Sequence, residues 1–266
     1  MIGKGVPMSA EHLLYHQDGP VAFVTFNRPE ARNAMTFEMY RRLSEACERV
    51  DADDSVRVMV LQGAGGKAFV AGTDISQFKA FSSPQDALDY EARIEAVVSR
   101  LEAVTKPTIA AVQGYAVGGG AMLALACDLR IATPDAKFGT PIARTLGNCL
   151  APGNYARLVD LIGPALTKEL IYTARMVEAA EAKALGLVNR VVEPDQLTAR
   201  IAELGAQIAA HAPLTLRVTK EALRRIQAHR RVQGGEDLVL ACYMSADFKE
   251  GVSAFLEKRS PVWKGR

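Results

Sequence analysis

Two glycine-bearing segments carry the residue types needed to hold a negatively charged oxygen. Ala68-Phe-Val-Ala-Gly-Thr-Asp-Ile-Ser76 follows a buried-strand pattern and runs into a helix start at Asp74. Gly114-Tyr-Ala-Val-Gly-Gly-Gly120 follows a second such strand and opens a second helix. A helix start leaves backbone N–H groups without intrahelical partners, and glycine lets the backbone approach a ligand with no Cβ in the way. Two such turns side by side aim two donors at one oxygen, the geometry of an oxyanion hole; a pair of tight structural turns is the alternative reading. The chain carries 30 Asp and Glu against 32 Lys and Arg. Carboxylates for acid–base chemistry are therefore plentiful, and their placement decides what they can do.

Other chemistries find no support. His12 and His16 are four apart, but no Glu completes a helical H-E-x-x-H, so they read as solvent-side residues of an edge strand. Gly63–Lys67 lacks the phosphate-loop frame, with Leu61 and Ala68 in the wrong places, and reads as a surface turn. No Ser is flanked as G-x-S-x-G, and neither glycine cluster fits G-x-G-x-x-G after a strand. Cys47, Cys127, Cys149 and Cys242 are scattered, so neither a zinc site nor a disulfide framework is expected; reduced thiols in a cytoplasmic protein are. A net charge of +2 is not the footprint of a dedicated nucleic-acid binder. Arg224, Arg225, Arg230 and Arg231 form a basic helical cluster that reads as a solvated or subunit-facing surface, with RNA contact as the alternative. Residues 1–11 lack the apolar run of a secretory leader, and the uncharged stretch 109–127 reads as strand, turn and helix rather than a membrane span.

The elements that must position the two turns alternate along the chain. Residues 12–17 and 21–26 read as strands joined by Asp18-Gly19-Pro20. Thr36 reads as the N-cap of a helix whose Phe37, Tyr40, Leu43, Cys47 and Val50 share one face. A buried strand at 57–61 follows, then a helix from Pro84 to about Val104 that Lys106-Pro107 stops. Strands at 108–113, 129–132 and 188–192 and short helices at 155–161 and 165–173 complete an α/β body. From about residue 196 only helices are expected, which sets a boundary between a body over 1–200 and a helical region over 201–266.

Seven segments occur in one order: Asn27-Arg-Pro-Glu-Ala-Arg-Asn-Ala34, Ala68-Phe-Val-Ala-Gly-Thr-Asp-Ile75, Ala110-Ala-Val-Gln-Gly-Tyr-Ala-Val-Gly-Gly-Gly120, Ala126-Cys-Asp-Leu-Arg-Ile-Ala132, Ala136-Lys-Phe-Gly139, Glu181-Ala-Lys-Ala-Leu-Gly-Leu-Val-Asn189 and Ala254-Phe-Leu-Glu-Lys-Arg-Ser-Pro261. Together they resemble the enoyl-CoA hydratase/isomerase (crotonase) family over about residues 12–263. The resemblance implies a crotonase-like ββα spiral core with an all-helical C-terminal trimerisation region, assembling as a trimer or a dimer of trimers. It implies an acyl-CoA thioester as substrate, no cofactor beyond the coenzyme A that the substrate brings, no metal, and neither a membrane nor a nucleic-acid partner. The oxyanion donors carry over to the N–H groups of Thr73 and Gly119; the family usually has Ala where Thr73 stands. Ala31, Arg32, Ala71, Asp74 and Ile75 carry over to the nucleotide and pantetheine groove, with an N-cap as the equal alternative for Asp74. Phe255 and Lys258 match positions that reach a neighbouring subunit's CoA.

The departures concern proton transfer. The two glutamates of family hydratases fall at Met122 and Ile142, the second uncertain by one place because of an apparent insertion before Leu146-Gly147. No Asp or Glu occurs over 103–127 or 137–159, so the shift restores no carboxylate. Met and Ile cannot move a proton, and general acid–base catalysis is worth roughly 10²–10⁴ in rate, so two-glutamate hydration is expected to be weak or absent. Arg144, Asn148, Cys149, Asn154 and Tyr155 lie in the divergent loop, where Cys149 reads as a packed thiol. Asp89 and Glu91 could reach the pocket but read first as a solvated helix face. Two functions follow: an enzyme on an unusual acyl-CoA with a relocated base, of lyase or isomerase type, or a non-catalytic acyl-CoA-binding or RNA-binding protein on the same scaffold.

Overall fold

A computed structural model describes residues 12–228 and 234–265. Arg230, Arg231 and residues 1–11, with the expectations placed on them, lie outside the described residues.

Strands β1 (Leu13–Asp18) and β2 (Val21–Phe26) pair antiparallel across Gly19, whose φ of 53° suits the turn. Strands β3 (Val58–Gly63), β5 (Thr108–Val112), β7 (Leu129–Ala132) and β10 (Arg190–Val191) extend that sheet in parallel, in the order β1-β2-β3-β5-β7-β10. Parallel strands covered on both faces carry unbroken apolar runs. In β3, Met59 and Leu61 enter the main core while Val58 and Val60 enter a second one beneath helix α7 (Leu197–Ala209). A second sheet, β4 (Ala68–Val70), β6 (Tyr115–Val117), β8 (Lys137–Gly139) and β9 (Val177–Glu178), was not expected. Its strands have two or three residues, too few for a period of two to register.

The helices begin where caps allow. Helix α1 (Phe37–Ala52) starts behind Thr36, whose hydroxyl accepts the Met39 N–H. Helix α2 (Pro84–Glu102) starts with a reciprocal Ser83–Asp86 capping box. Helix α3 (Gly119–Ala126) is buried throughout after its first residue and ends on Arg130, whose guanidinium donates to the Cys127 carbonyl at 2.6 Å. Helices α4 (Ile142–Thr145), α5 (Pro152–Thr173), α6 (Ala179–Ala184), α8 (Pro213–Ala228), α9 (Glu236–Tyr243) and α10 (Ala246–Glu257) complete the set. Helix α5 kinks at Gly163 (φ 73°) before Pro164, which divides it as the sequence pattern indicated. Residues 109–127 fold as β5, β6 and α3, and among the described residues no helix is long and apolar enough to cross a membrane.

Candidate active site

Strands β4 and β6 run parallel and end in adjoining turns, one at Gly72-Thr73 and one at Gly118-Gly119. Gly72 and Gly118 have φ of 106° and 53°, and a Cβ on Gly118 would stand 3.9 Å from the Gly72 Cα. Thr73 bridges to Met35: the Met35 N–H donates to Gly72 O at 2.8 Å, and the Asp74 N–H donates to Met35 O at 2.9 Å. Successive N–H groups of extended chain point to opposite edges, so the Thr73 N–H faces away from Met35. Gly119 is the first residue of α3, where N–H groups lack helical partners. Among the described residues neither Thr73 nor Gly119 gives its N–H to a backbone carbonyl. Two adjacent free donors on the wall of a cleft can hold one oxygen that gains negative charge.

The cleft is about 720 Å³ and is lined on another side by α2 and the loop before α5, with α9 packed against α2. Helix α2 turns Ala87, Tyr90, Ile94, Val97, Val98 and Leu101 inward, and Glu91 sits on that same apolar face, 8% exposed. Tyr243, the last residue of α9, donates its phenol proton to Glu91 Oε1, and Asn148 Nδ2 donates to that phenol at 3.1 Å. Phe78 and Phe248 pack on Tyr90 and Tyr243 with ring centroids 4.9 and 4.6 Å apart. Burial among these rings pushes the Glu91 carboxyl up to about 7, against the lowering effect of the Tyr243 phenol and the Ala151 backbone N–H, with Glu95 adding to the rise. A buried carboxyl that titrates near neutrality in a cleft is suited to giving and taking a proton.

The structure corrects one reading: Glu91 is not part of a solvated face. Its neighbour Asp89 is, exposed and bonded to Gln85. Glu91 was detectable, because it falls three or four residues from Ala87 and Ile94 in an otherwise apolar stripe. Its partner Tyr243 lies 152 residues away and carried no local signal.

Ala31, Arg32, Ala71, Thr73, Asp74, Ile75, Gly119 and Phe255 all line this cleft. Phe255 does so in its own chain, whereas Lys258 ends α10 in the left-handed conformation, outside the lining. Asp74 caps the 3-10 turn Ile75–Ala80 through the Ser76 N–H and meets Arg28 at 3.1 Å. Burial raises its carboxyl, but donors from Ser76 and Arg28 outweigh that and hold it below the usual range. Met122 and Ile142 line the cleft as buried apolar side chains. Arg144, Asn148, Cys149 and Asn154 join them, while the Tyr155 hydroxyl accepts the Leu150 N–H at 3.4 Å. Burial pushes the Cys149 thiol up, away from the thiolate form a nucleophile needs.

A family model described as Enoyl-CoA hydratase/isomerase matches residues 16–266. A crotonyl-CoA hydratase of Syntrophomonas wolfei is 37% identical over 257 residues, covering 95% of this chain and 97% of that protein. The crystal structure of an enoyl-CoA hydratase/carnithine racemase from Magnetospirillum magneticum is similar with a TM-score of 0.79 at 36% identity, over 97% of each chain. A methylmalonyl-CoA decarboxylase in complex with 2-nitronate-propionyl-CoA is similar with a TM-score of 0.88 at 29% identity, over 97% of this chain and 100% of that one.

Proposed function

The chain belongs to the enoyl-CoA hydratase/isomerase family, and from that premise we propose that it processes an acyl-CoA thioester through an enolate. The Thr73 and Gly119 N–H groups hold the thioester oxygen as charge develops on it, and Glu91 exchanges the proton with carbon. The observation that carries this reading is the Glu91 carboxyl, buried in the cleft and poised at about 7. A protein that only binds acyl-CoA gains nothing from holding a carboxylate in an apolar wall, which costs stability when charged.

Met122 and Ile142 stand where the resemblance puts the glutamates of hydratases, and neither moves a proton. One carboxyl moves one proton at a time. That suits isomerisation, in which the base takes a proton from one carbon and returns it to another. The likeness to methylmalonyl-CoA decarboxylase favours a second form of the same reading. Loss of CO₂ leaves the enolate without any base, and protonated Glu91 then supplies the proton to carbon. Some of the relatives are named hydratases, and hydration through two carboxyls is not what this site supports.

Self-association is part of the proposal. Helix α8 buries none of its residues, and Leu214, Val218, Leu223 and Ile226 are 56–68% exposed. Exposed apolar side chains on that helix fit a second copy of the chain.

A panel of CoA thioesters, including crotonyl-CoA, 3-enoyl-CoA and malonyl-type esters, is incubated with wild type and Glu91→Gln and followed by mass spectrometry. The expected result is turnover of a 3-enoyl or malonyl-type ester by wild type only. Rapid hydration of crotonyl-CoA by both proteins contradicts the proposal.

A further inference from the structure

Thr73 brings a hydroxyl as well as an N–H to the cleft wall. Its Oγ1 lies 2.9 Å from the Tyr40 hydroxyl and 2.9 Å from the Tyr90 hydroxyl. Tyr40 is fully buried and Tyr90 nearly so. Burial raises both phenols far above neutrality, Tyr40 to about 12, so both keep their protons. Among the described residues, Thr73 Oγ1 is the one protein hydrogen-bond partner of each phenol.

Counting protons then fixes the direction of these bonds. A phenol has one proton to donate, and leaving it unpaired in the interior costs more than a hydrogen bond returns. A threonine hydroxyl has two lone pairs and one proton. Both phenol protons find a protein acceptor only if both are donated to Thr73 Oγ1. The two lone pairs are then occupied, and the hydroxyl's own proton has no acceptor in the protein. A Cβ placed on Gly119 would stand 3.5 Å from Thr73 Oγ1 and 2.5 Å from the Tyr40 hydroxyl oxygen, so the hydroxyl adjoins the Gly119 turn. Thr73 and Gly119 both line the cleft.

We propose that the Thr73 hydroxyl, oriented by Tyr40 and Tyr90, is a third donor to the thioester oxygen beside the Thr73 and Gly119 N–H groups. This rests on the reading that the thioester oxygen sits between those two N–H groups. The hydroxyl touches the reacting group and is catalytic; Tyr40 and Tyr90 act through it and are positioning residues. A donor two of whose partners are fixed cannot turn away when charge develops, which is what preorganisation requires.

The test uses acetoacetyl-CoA, whose enolate absorbs in the ultraviolet and forms by losing a proton to buffer, with no enzyme base needed. The apparent pKa of the bound ester is read from that band in wild type, Thr73→Val, Thr73→Ser and the Tyr40→Phe/Tyr90→Phe double variant. Thr73→Val keeps the N–H and is expected to raise the pKa of the bound ester by about one unit, a tenfold loss of enolate stabilisation. Thr73→Ser is expected to return to within about threefold of wild type, since the donor is restored. The double variant keeps the hydroxyl and is expected to lose less than Thr73→Val. Should Thr73→Val not fold, Thr73→Ala removes the same hydroxyl and is read against Thr73→Ser. An unchanged enolate fraction in Thr73→Val, or no recovery in Thr73→Ser, overturns the hydroxyl's role and leaves the acyl-CoA reading standing. Failure of wild type to bind acetoacetyl-CoA overturns both.

Discussion

The two walls of the cleft are built by different means. One wall offers main-chain donors at Thr73 and Gly119, fixed by two parallel strands, by the positive φ of Gly72 and Gly118, and by Gly119, where a Cβ would stand 2.5 Å from the Tyr40 hydroxyl oxygen. The other offers a side chain, Glu91, whose behaviour depends on rings and a phenol from α9 packed against α2. The first wall is set by local chain geometry, and its polarity is present whatever the pH. The second is set by tertiary packing, and its charge changes near neutrality. On the proposed function, stabilising a charge and moving a proton fall to separate walls, and each can be tested alone.

The largest effect is expected from Glu91→Gln. It keeps the volume and removes the proton carrier, so kcat should fall by roughly 10²–10⁴ while KM changes little. Steady-state kinetics on an ester that wild type turns over checks this. On the other wall, Gly119→Ala retains the N–H but drives a methyl to 2.5 Å from the Tyr40 hydroxyl oxygen. Displacing one such donor should cost about 10²–10³ in kcat with the pH profile unmoved. A loss confined to KM would show that this wall only binds.

The difference between the walls also explains what the sequence disclosed. Glycine spacing marked the donor wall, because a close approach at Gly118-Gly119-Gly120 is a local requirement. Strand β2 was legible with its bounds, since six residues of apolar chain suffice to register. Strands β4, β6, β8 and β9 were not, although β4 and β6 carry the turns, because so short a run pairs for tertiary reasons. From the sequence, Glu91 reads with Asp89 as able to reach the pocket but first as part of a solvated face, although it interrupts the apolar stripe of α2. What raises its carboxyl is burial under aromatic rings from distant parts of the chain, and no spacing rule connects them.

A third consequence concerns stability. The Glu91 carboxyl rises from its usual 4.5 to about 7 on folding, so the folded state binds more protons between those values. Its contribution is full below 4.5 and is lost as pH rises through about 7. The whole loss is about 3 kcal/mol at most. Urea denaturation at pH 5 and pH 8 should therefore find Glu91→Gln less pH-sensitive than wild type and the more stable of the two at pH 8. The smallest effect is expected from Tyr243→Phe. The Tyr243 phenol lowers the Glu91 pKa, so its loss should move the midpoint of the pH–rate profile upward by about one unit. A downward shift would mean that the phenol does not favour the charged form.

The central claim, that one wall stabilises an enolate while Glu91 on the other takes and returns the proton, is tested most directly by hydrogen exchange on a saturated ester. Butyryl-CoA is incubated in D₂O with wild type and with Glu91→Gln, and deuterium at the carbon next to the thioester is followed by mass spectrometry across pH. The account predicts incorporation by wild type that rises through a midpoint near 7, and a rate at least about 100-fold lower for Glu91→Gln. Exchange by Glu91→Gln at the wild-type rate, or no exchange by wild type above the enzyme-free background, would contradict it.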